Sequence, residues 1–303
     1  MTQLNRRRFL AISAAAISLP MQAVAAAPPA RWRGIALGAR ATLQLAGLTQ
    51  TQADPIFMAV ENELSRLESI FSLYRDTSEI SRLNATGRLE APSHELLEVL
   101  SISNMLNSAT DGAFDPTVQP LWQATVTTEN TSPVTGWRYL DINSQRVEFS
   151  HPKAATMGLT LNGIAQGYIT DKIAHLLRRK GLTDVLVDFG EIVANGQRST
   201  GQNWRVGIET PSGQRVKQMT LTNRALASSA PVMPLGDSTQ PNPHIFPPTA
   251  THHLQQAFVS VSAPTAAIAD GLSTACCLLS DQRIQAALDQ IPGTRIEALQ
   301  SLT

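Results

Sequence analysis

Residues 159–171 read LTLNGIAQGYITD, an apolar run followed by two glycines and then by apolar residues at helical spacing. This pattern predicts a strand, a turn bracketed by Gly163 and Gly167, and a helix that ends near Arg179. Such a turn places unpaired backbone N–H groups at a helix N-terminus, where phosphate oxygens are favoured. The same turn also serves as a purely structural link in many proteins. Its functional interpretation therefore depends on other parts of the chain.

An export signal is predicted over residues 1–27. Three consecutive arginines, residues 6–8, precede Phe-Leu and an interrupted alanine-rich apolar run. Paired arginines at this place indicate the twin-arginine route, and the run is too short for a membrane-spanning helix. Cleavage is expected after Ala25 or Ala27. The mature chain, residues 28–303, would then be exported to the periplasm without stable membrane insertion.

Charge and cysteine content exclude some classes of protein. The chain has 24 basic and 24 acidic residues, and loss of the three signal arginines leaves 21 against 24, a net charge of −3. This balance gives no basic field for nucleic acid. The two cysteines, Cys276 and Cys277, are adjacent and cannot easily pair, so they are interpreted as buried core residues of a helix. A mature chain of about 275 residues fits one large domain or two closely packed halves.

Periodicity predicts a chain of mixed helices and strands. Helices are expected after Asp54 with Pro55 in the first turn, over 78–83, after Ser93, and over 264–279. Strands are expected in a hairpin over 32–48 and at 139–142, 146–149, 185–189, 204–208 and 258–261. Loops are expected at 122–135 and at 231–253, where six prolines indicate a loop that covers the site.

Asp270 and Thr274 are four residues apart in the last of these helices, so both project from one side of it. A carboxylate and a hydroxyl together suit a hard cation such as Mg²⁺. The alternative interpretation is an ordinary solvated helix face. The pair by itself does not choose between the two.

Three sequence blocks, in order, resemble the ApbE family of FAD:protein FMN transferases. They are GAFDPT at 112–117, the glycine turn at 159–171 and ADGLSTA at 269–275. The resemblance extends over residues 34–279 and implies an α+β fold of two closely packed sub-domains, with mixed or antiparallel sheets and flanking helices. The chain lacks Gly-x-Ser-x-Gly, His-Glu-x-x-His and Gly-x-Gly-x-x-Gly motifs, which argues against the corresponding hydrolase, zinc-protease and Rossmann assignments.

The resemblance also implies roles for individual residues. The implied Mg²⁺ ligands are the main-chain carbonyl of Gly163 and the side chains of Asp270 and Thr274. The implied FAD contacts are Leu37, Tyr74, Ala113, Phe114, Asp115, Gln166 and Ile245. The implied catalytic residues are His244 and Asp115, either of which could take the proton from the incoming hydroxyl. His244 is preferred because the pKa of a histidine lies near working pH.

The implied reaction transfers FMN from FAD to a Thr of a client protein and releases AMP. The client would be an exported FMN-binding domain of a membrane redox protein. The predicted twin-arginine signal and the sequence after His244 are similar to those of the NosX branch of the family. That branch serves the flavoprotein of nitrous oxide respiration.

Some family positions differ in this chain. Gln166 stands where the family has Lys, Ser-Ser-Ala at 228–230 replaces Thr-Ser-Gly, and Phe-Pro-Pro follows Ile245 instead of an Asp-Pro-x-Thr-Gly sequence. Two other functions therefore remain open. One is an FAD-binding assembly factor without transfer activity, and the other is a pyrophosphatase that releases AMP and FMN to water.

Overall fold

The structure, a computed structural model, describes residues 29–126, 133–234 and 241–302. The predicted export signal lies outside these residues, as do parts of the loops predicted at 122–135 and 231–253. The helices are α1 Gln50–Phe71, α2 Glu79–Thr86, α3 His94–Ala109, α4 Gln119–Val126, α5 Ala165–Arg179, α6 Ala266–Cys276 and α7 Asp281–Gln290. The strands are β1 Ala30–Ala36, β2 Ala39–Leu45, β3 Arg88–Glu90, β4 Leu140–Ile142, β5 Arg146–Phe149, β6 Val185–Asp188, β7 Ile192–Asn195, β8 Trp204–Glu209, β9 Arg215–Leu221, β10 Arg224–Ser229, β11 Val232–Pro234, β12 Pro241–Pro243, β13 Gln256–Ala263 and β14 Arg295–Ser301.

A seven-stranded sheet organises the fold, with strand order β1-β2-β6-β7-β10-β13-β14. Every neighbouring pair in it is antiparallel. Smaller antiparallel sheets are formed by β3-β5-β4, β8-β9 and β11-β12. The predicted α+β class with antiparallel sheets and flanking helices is confirmed.

At the centre of the large sheet both faces are buried. In β6, Val185 and Val187 belong to the main core with the helices, whereas Leu186 belongs to a second core with Trp204 and Val206 of β8. Successive side chains of a strand point to opposite faces, so β6 is covered by helices on one face and by the β8-β9 ribbon on the other. This double coverage explains why its sequence is continuously apolar.

Helix α6 lies between α5 and the strands β10 and β13. Its close approach to α5 requires Gly167, since a Cβ at this position would lie 2.3 Å from the carbonyl oxygen of Ala266. Asp171 of α5 accepts the N–H groups of Ala266 and Ala267 at 2.8 and 2.9 Å. The carboxylate thus accepts two of the backbone N–H groups at the N-terminus of α6 that have no partner within the helix. In the same helix Cys276 and Cys277 are buried free thiols, as predicted, and burial raises the pKa of Cys276 to about 12.

The prediction for the start of α1 is wrong. The helix begins at Gln50, so Pro55 lies inside it and Asp54 does not cap it. Thr49 and Gln52 form a capping box, in which each side chain accepts the backbone N–H of the other residue at 3.4 and 2.9 Å. Two satisfied donors stabilise this earlier start.

The strand predicted at 159–161 is also wrong. These residues are extended but pair with no strand. Instead the side chain of Asn84 accepts the N–H of Leu159 at 2.7 Å and donates to its carbonyl at 2.8 Å. One amide side chain therefore replaces a strand partner. The helix after this segment is confirmed.

Other predicted elements are found with small shifts, namely the first hairpin, α2, α3, β4, β5, β6, β8, β13 and α6. Helix α4 occupies the start of the predicted 122–135 loop, and the β11-β12 hairpin occurs within 231–253. The elements β3, β7, β9, β10, β14 and α7 were not predicted. In the part of the chain that the structure describes, no helix is long and apolar enough to cross a bilayer.

Candidate active site

One cleft is lined by every residue that the sequence predicts for the site. These are Leu37, Tyr74, Ala113, Phe114, Asp115, Gly163, Gln166, His244, Ile245, Asp270 and Thr274. They come from the β1-β2 turn, the loop after α1, the segment after α3, the start of α5, the segment after β12 and α6. The structure thus brings the three sequence blocks together, while the roles of the individual residues stay predictions.

The glycine turn lies directly against α6. A Cβ on Gly163 would be 2.9 Å from Oγ1 of Thr274, so only glycine allows this approach. The N–H of Gly167 donates to Oδ2 of Asp270 at 3.0 Å. Asp270 is only 4% exposed, which excludes the solvated helix face. The three residues predicted to hold the metal therefore meet at one junction between the turn and the helix, where Asp270 is buried and Gly163 and Thr274 are half-buried.

The floor of the cleft is acidic. Burial raises the pKa of Asp270 to about 7, despite the opposing hydrogen bond from Gly167. Burial also raises the pKa of Glu191 well above the usual range, and the nearby carboxylates of Asp270 and Asp188 raise it further. Among the described residues that line the cleft there is no Lys or Arg. A pyrophosphate entering it would meet carboxylates and no protein cation.

This donor set fits Mg²⁺. A carboxylate, a hydroxyl and a main-chain carbonyl are all oxygen ligands, and Mg²⁺ completes its shell with water and substrate phosphates. The described residues include no group of three or more His, Cys, Asp or Glu side chains arranged to hold a metal. The site therefore does not resemble a structural zinc site, which uses four protein ligands.

Asp115 fixes the loop that forms one wall. Its Oδ1 accepts the N–H and the hydroxyl of Thr117 at 2.8 and 2.7 Å, and its Oδ2 accepts the N–H of Trp137 at 3.1 Å. Burial raises the pKa of Asp115 although these hydrogen bonds oppose the shift. Both carboxyl oxygens already have partners within the protein. This geometry suits a residue that shapes the cleft better than one that accepts a proton.

Gln166 is buried at the start of α5 beside Gly190. Its Nε2 donates to the carbonyl of Phe189, so one amide proton is committed to the protein. A Cβ on Gly190 would be 2.2 Å from Nε2, and the φ of Gly190 is +99°. The chain therefore holds the amide against a glycine turn. The other amide proton and the amide oxygen are what Gln166 can offer to a ligand.

Residues with less burial form the rim. Leu37 and Gly38 both have positive φ, as in a two-residue hairpin turn, and the N–H of Leu37 donates to Oε1 of Glu68 at 3.0 Å. Tyr74 is 56% exposed, so one ring face is available for an aromatic ligand. On another wall the N–H of His244 donates to the carbonyl of Pro231 at 3.1 Å, and Ile245 is buried.

Further lining residues were not predicted from the sequence. They include Gln119, Trp122, Asn162, Glu191, Ser228, Ser229 and Phe246. Ser229 hydrogen-bonds with Ser273 at 2.7 Å and lies 3.4 Å from Oγ1 of Thr274. None of these residues stands out in the sequence, because each reaches the cleft only through contacts that folding creates.

Comparisons with known proteins agree with this geometry. The model of the ApbE family matches residues 37–299. A protein from Haemophilus influenzae named FAD:protein FMN transferase is 28% identical over 251 residues, covering 74% of this chain and 72% of that relative. One of the same name from Vibrio cholerae is 29% identical over 268 residues, covering 80% of this chain and 77% of its own.

A solved structure adds support for the fold. The Pseudomonas stutzeri flavinyl transferase ApbE, in its apo form, superposes with a TM-score of 0.71 at 26% identity, covering 86% of this chain and 87% of that one. The family model spans most of the sequence and contains all three blocks that meet in the cleft. The chain therefore belongs to the ApbE family.

Proposed function

We infer that this chain is an FAD:protein FMN transferase. The observation that carries the inference is the junction of Gly163, Asp270 and Thr274 in the cleft that all three sequence blocks line. The names of the curated relatives support the same activity. In the reaction the hydroxyl oxygen of a client Thr bonds to the FMN-side phosphorus of FAD. The bond from this phosphorus to the bridging oxygen breaks, AMP leaves with that oxygen, and the Thr proton passes to a base.

Gly163, Asp270 and Thr274 would hold Mg²⁺ through their carbonyl, carboxylate and hydroxyl oxygens. When bound there, Mg²⁺ supplies charge neutralisation for the pyrophosphate and for the departing AMP phosphate. The hydrogen bond from Gly167 fixes the carboxylate of Asp270, so this ligand is oriented before substrate enters. No Lys or Arg is among the described lining residues, so the cation would supply the positive charge that faces the pyrophosphate.

His244 is the better candidate for the base. Asp115 and His244 both line the cleft, but both carboxyl oxygens of Asp115 already accept hydrogen bonds from Thr117 and Trp137. His244→Asn should therefore lower kcat and flatten its pH dependence. Asp115→Asn should mainly lower the Tm of the protein, because it weakens the hydrogen bonds that hold this wall of the cleft. Equal loss of kcat with unchanged stability in Asp115→Asn would reverse the assignment.

The proposal also includes the client protein of the transferase and the location of the transferase in the cell. The client is a protein with an FMN-binding domain that presents a Thr, associated with a membrane redox complex. The twin-arginine-type signal supports export to the periplasm, and the sequence around His244 supports the NosX branch and a role in nitrous oxide respiration. A reporter fused to residues 1–27, expressed with and without the twin-arginine translocase, tests the export route.

Intact mass measurement of a client tests the activity directly. The mature protein is incubated with FAD, Mg²⁺ and an FMN-binding domain that carries the candidate Thr. A mass gain equal to one FMN phosphoester is expected, with no gain for the client Thr→Val variant or for enzyme Asp270→Asn. Bound and intact FAD without any gain would instead indicate an assembly factor. Free AMP and FMN without client modification would indicate a pyrophosphatase.

A further inference from the structure

Glu191 presents a buried carboxyl oxygen to the cleft. The residue directly precedes β7 and is 7% exposed. It accepts a hydrogen bond from the backbone N–H of Ser228. Its Oε2 is fully buried and has no hydrogen-bond partner among the described residues. Buried polar atoms in folded proteins almost always have a partner, so an exception at a ligand cleft points to the ligand.

The surroundings of Glu191 make it unfavourable to bury its carboxyl group in the ionised form. Asp270 and Asp188 place two further carboxyl groups close enough to act on it. The adjacent Gln166 offers a neutral amide and directs Nε2 to Phe189 rather than to Glu191. Described residues that line the cleft supply no positive charge. The described residues thus leave Oε2 of Glu191 without a hydrogen-bond donor, and a hydrated cation bound in the cleft can supply one.

We propose that Glu191 is a positioning residue for the cation of the cleft, whose Oε2 accepts a hydrogen bond from a water molecule in the coordination shell of Mg²⁺. This inference rests on the proposed function, because it assumes that the cleft binds Mg²⁺ with FAD. Mg²⁺ keeps several waters when few protein ligands bind it, and outer carboxylates orient such ligands.

Mg²⁺ titration of the FAD-saturated mature protein by isothermal titration calorimetry tests the proposal. Glu191→Gln keeps the shape and an acceptor for the N–H of Ser228, but removes the charge. The Mg²⁺ dissociation constant should rise about tenfold, the lower end of the effect of removing an outer-shell partner. FAD binding in EDTA, followed by flavin fluorescence, should not change. An unchanged Mg²⁺ dissociation constant overturns the proposal, and so does an equal loss of FAD affinity in EDTA, which would place Glu191 on the nucleotide itself.

Thermal unfolding gives a second readout that does not need catalysis. In EDTA the Tm of Glu191→Gln should be close to that of the wild type, because Oε2 has no partner to lose in the metal-free protein, and the rise of Tm on adding Mg²⁺ should be smaller. A lower Tm in EDTA would show that Oε2 already has a partner, against the proposal. Glu297→Gln is the matched control, since Glu297 bonds Lys217 and Ser262 at 2.7 Å each. It should lower the Tm and leave the Mg²⁺ titration unchanged.

Asp270→Asn separates this proposal from the proposed function. If the metal site is as proposed, this variant loses Mg²⁺ binding almost completely while Glu191→Gln only weakens it. If Asp270→Asn binds Mg²⁺ as the wild type does, the proposed metal site itself is wrong. The proposal for Glu191 would then fail as well. The Glu191 variant alone could not show this, because it tests only the role of Glu191 and not the metal site.

Discussion

The backbone N–H of Gly167 donates a 3.0 Å hydrogen bond to Oδ2 of Asp270, across 103 residues of sequence. The bond joins the glycine turn to the helix that carries the predicted metal ligands. It uses one of the N–H groups at the start of α5 that the sequence had suggested for phosphate. In this structure the start of the helix therefore orients a carboxylate with at least one of its N–H groups.

This relationship predicts different results for two substitutions of Asp270. Asp270→Asn keeps an oxygen that can accept the N–H of Gly167, so the fold should be retained. Mg²⁺-dependent transfer should fall by at least about 100-fold, since metal stabilisation of phosphoryl charge contributes several kcal/mol. Transfer is measured by intact mass of the client, and folding by circular dichroism.

Asp270→Ala should lose both the charge and the hydrogen bond. Leaving the N–H of Gly167 without a partner costs about 1–3 kcal/mol, so this variant should unfold at lower denaturant concentration than Asp270→Asn. Asp289→Ala, an exposed position in α7, serves as the control and should leave transfer unchanged. Wild-type transfer in either Asp270 variant would show that the metal ligands are elsewhere.

The sequence was informative where the signals are local. The turn of the first hairpin, the Ser93 cap of α3 and the apolar spacing of α5 each lie within a few residues of what they determine. The three short blocks that carry the resemblance lie together in one cleft. Neither the local signals nor the family resemblance shows the long-range contacts that hold those blocks together.

The failures have a common physical cause. Asn84 substitutes for a strand partner of Leu159 from 75 residues away, and Asp171 caps α6 from 95 residues away. Glu191 is notable only after folding brings Asp188 and Asp270 beside it. A single sequence does not show which of its distant residues will come into contact. The wrong start of α1 is a different case, because the Thr49 and Gln52 capping box was present locally and outweighed the Asp-Pro signal.

Gly163→Ala should damage the site more than the fold. Its Cβ would lie 2.9 Å from Oγ1 and 3.1 Å from Cγ2 of Thr274, so the hydroxyl must move from its position. We expect a loss of stability of about 1–3 kcal/mol, as for overpacking, together with a weaker Mg²⁺ affinity. Calorimetric Mg²⁺ titration and urea unfolding measure the two effects.

Gly158→Ala is the matched control for this substitution. It lies five residues earlier, and its Cβ would meet Cγ of Gln119 at 3.4 Å, near the limit of ordinary contact. Mg²⁺ affinity should be that of the wild type. Equal loss of Mg²⁺ affinity in both variants would mean that the segment, and not the contact of Gly163 with Thr274, matters.

Asp171→Ala should loosen the start of α6. The substitution removes the acceptor for the N–H groups of Ala266 and Ala267 and leaves both buried donors unsatisfied. Loss of a helix cap costs about 0.5–2 kcal/mol of unfolding free energy. Asp171→Asn retains one acceptor and should fall between Asp171→Ala and the wild type in urea unfolding. An unchanged midpoint in Asp171→Ala would show that α6 is held by packing alone.

The stability of the metal-free protein should fall as pH rises. Burial raises the pKa of Asp171 to about 6 and the pKa values of Asp188 and Asp270 to about 7, whereas these groups ionise near 3.9 in an unfolded chain. Between about pH 4 and pH 7 the folded state therefore binds more protons than the unfolded state, and the free energy of unfolding decreases with pH.

Differential scanning calorimetry in EDTA should accordingly give a higher Tm at about pH 5.5 than at about pH 8, by roughly several degrees for a chain of this size. Saturating Mg²⁺ should reduce the difference, because it binds the ionised form of Asp270 and stabilises the folded state most at the higher pH. Asp270→Asn should show a shallower pH dependence in EDTA, since one group with a raised pKa is gone, and should lose the response to Mg²⁺. A Tm that rises with pH over this interval would mean that the acidic floor is compensated within the protein, and the case for a bound cation would then lose its electrostatic basis.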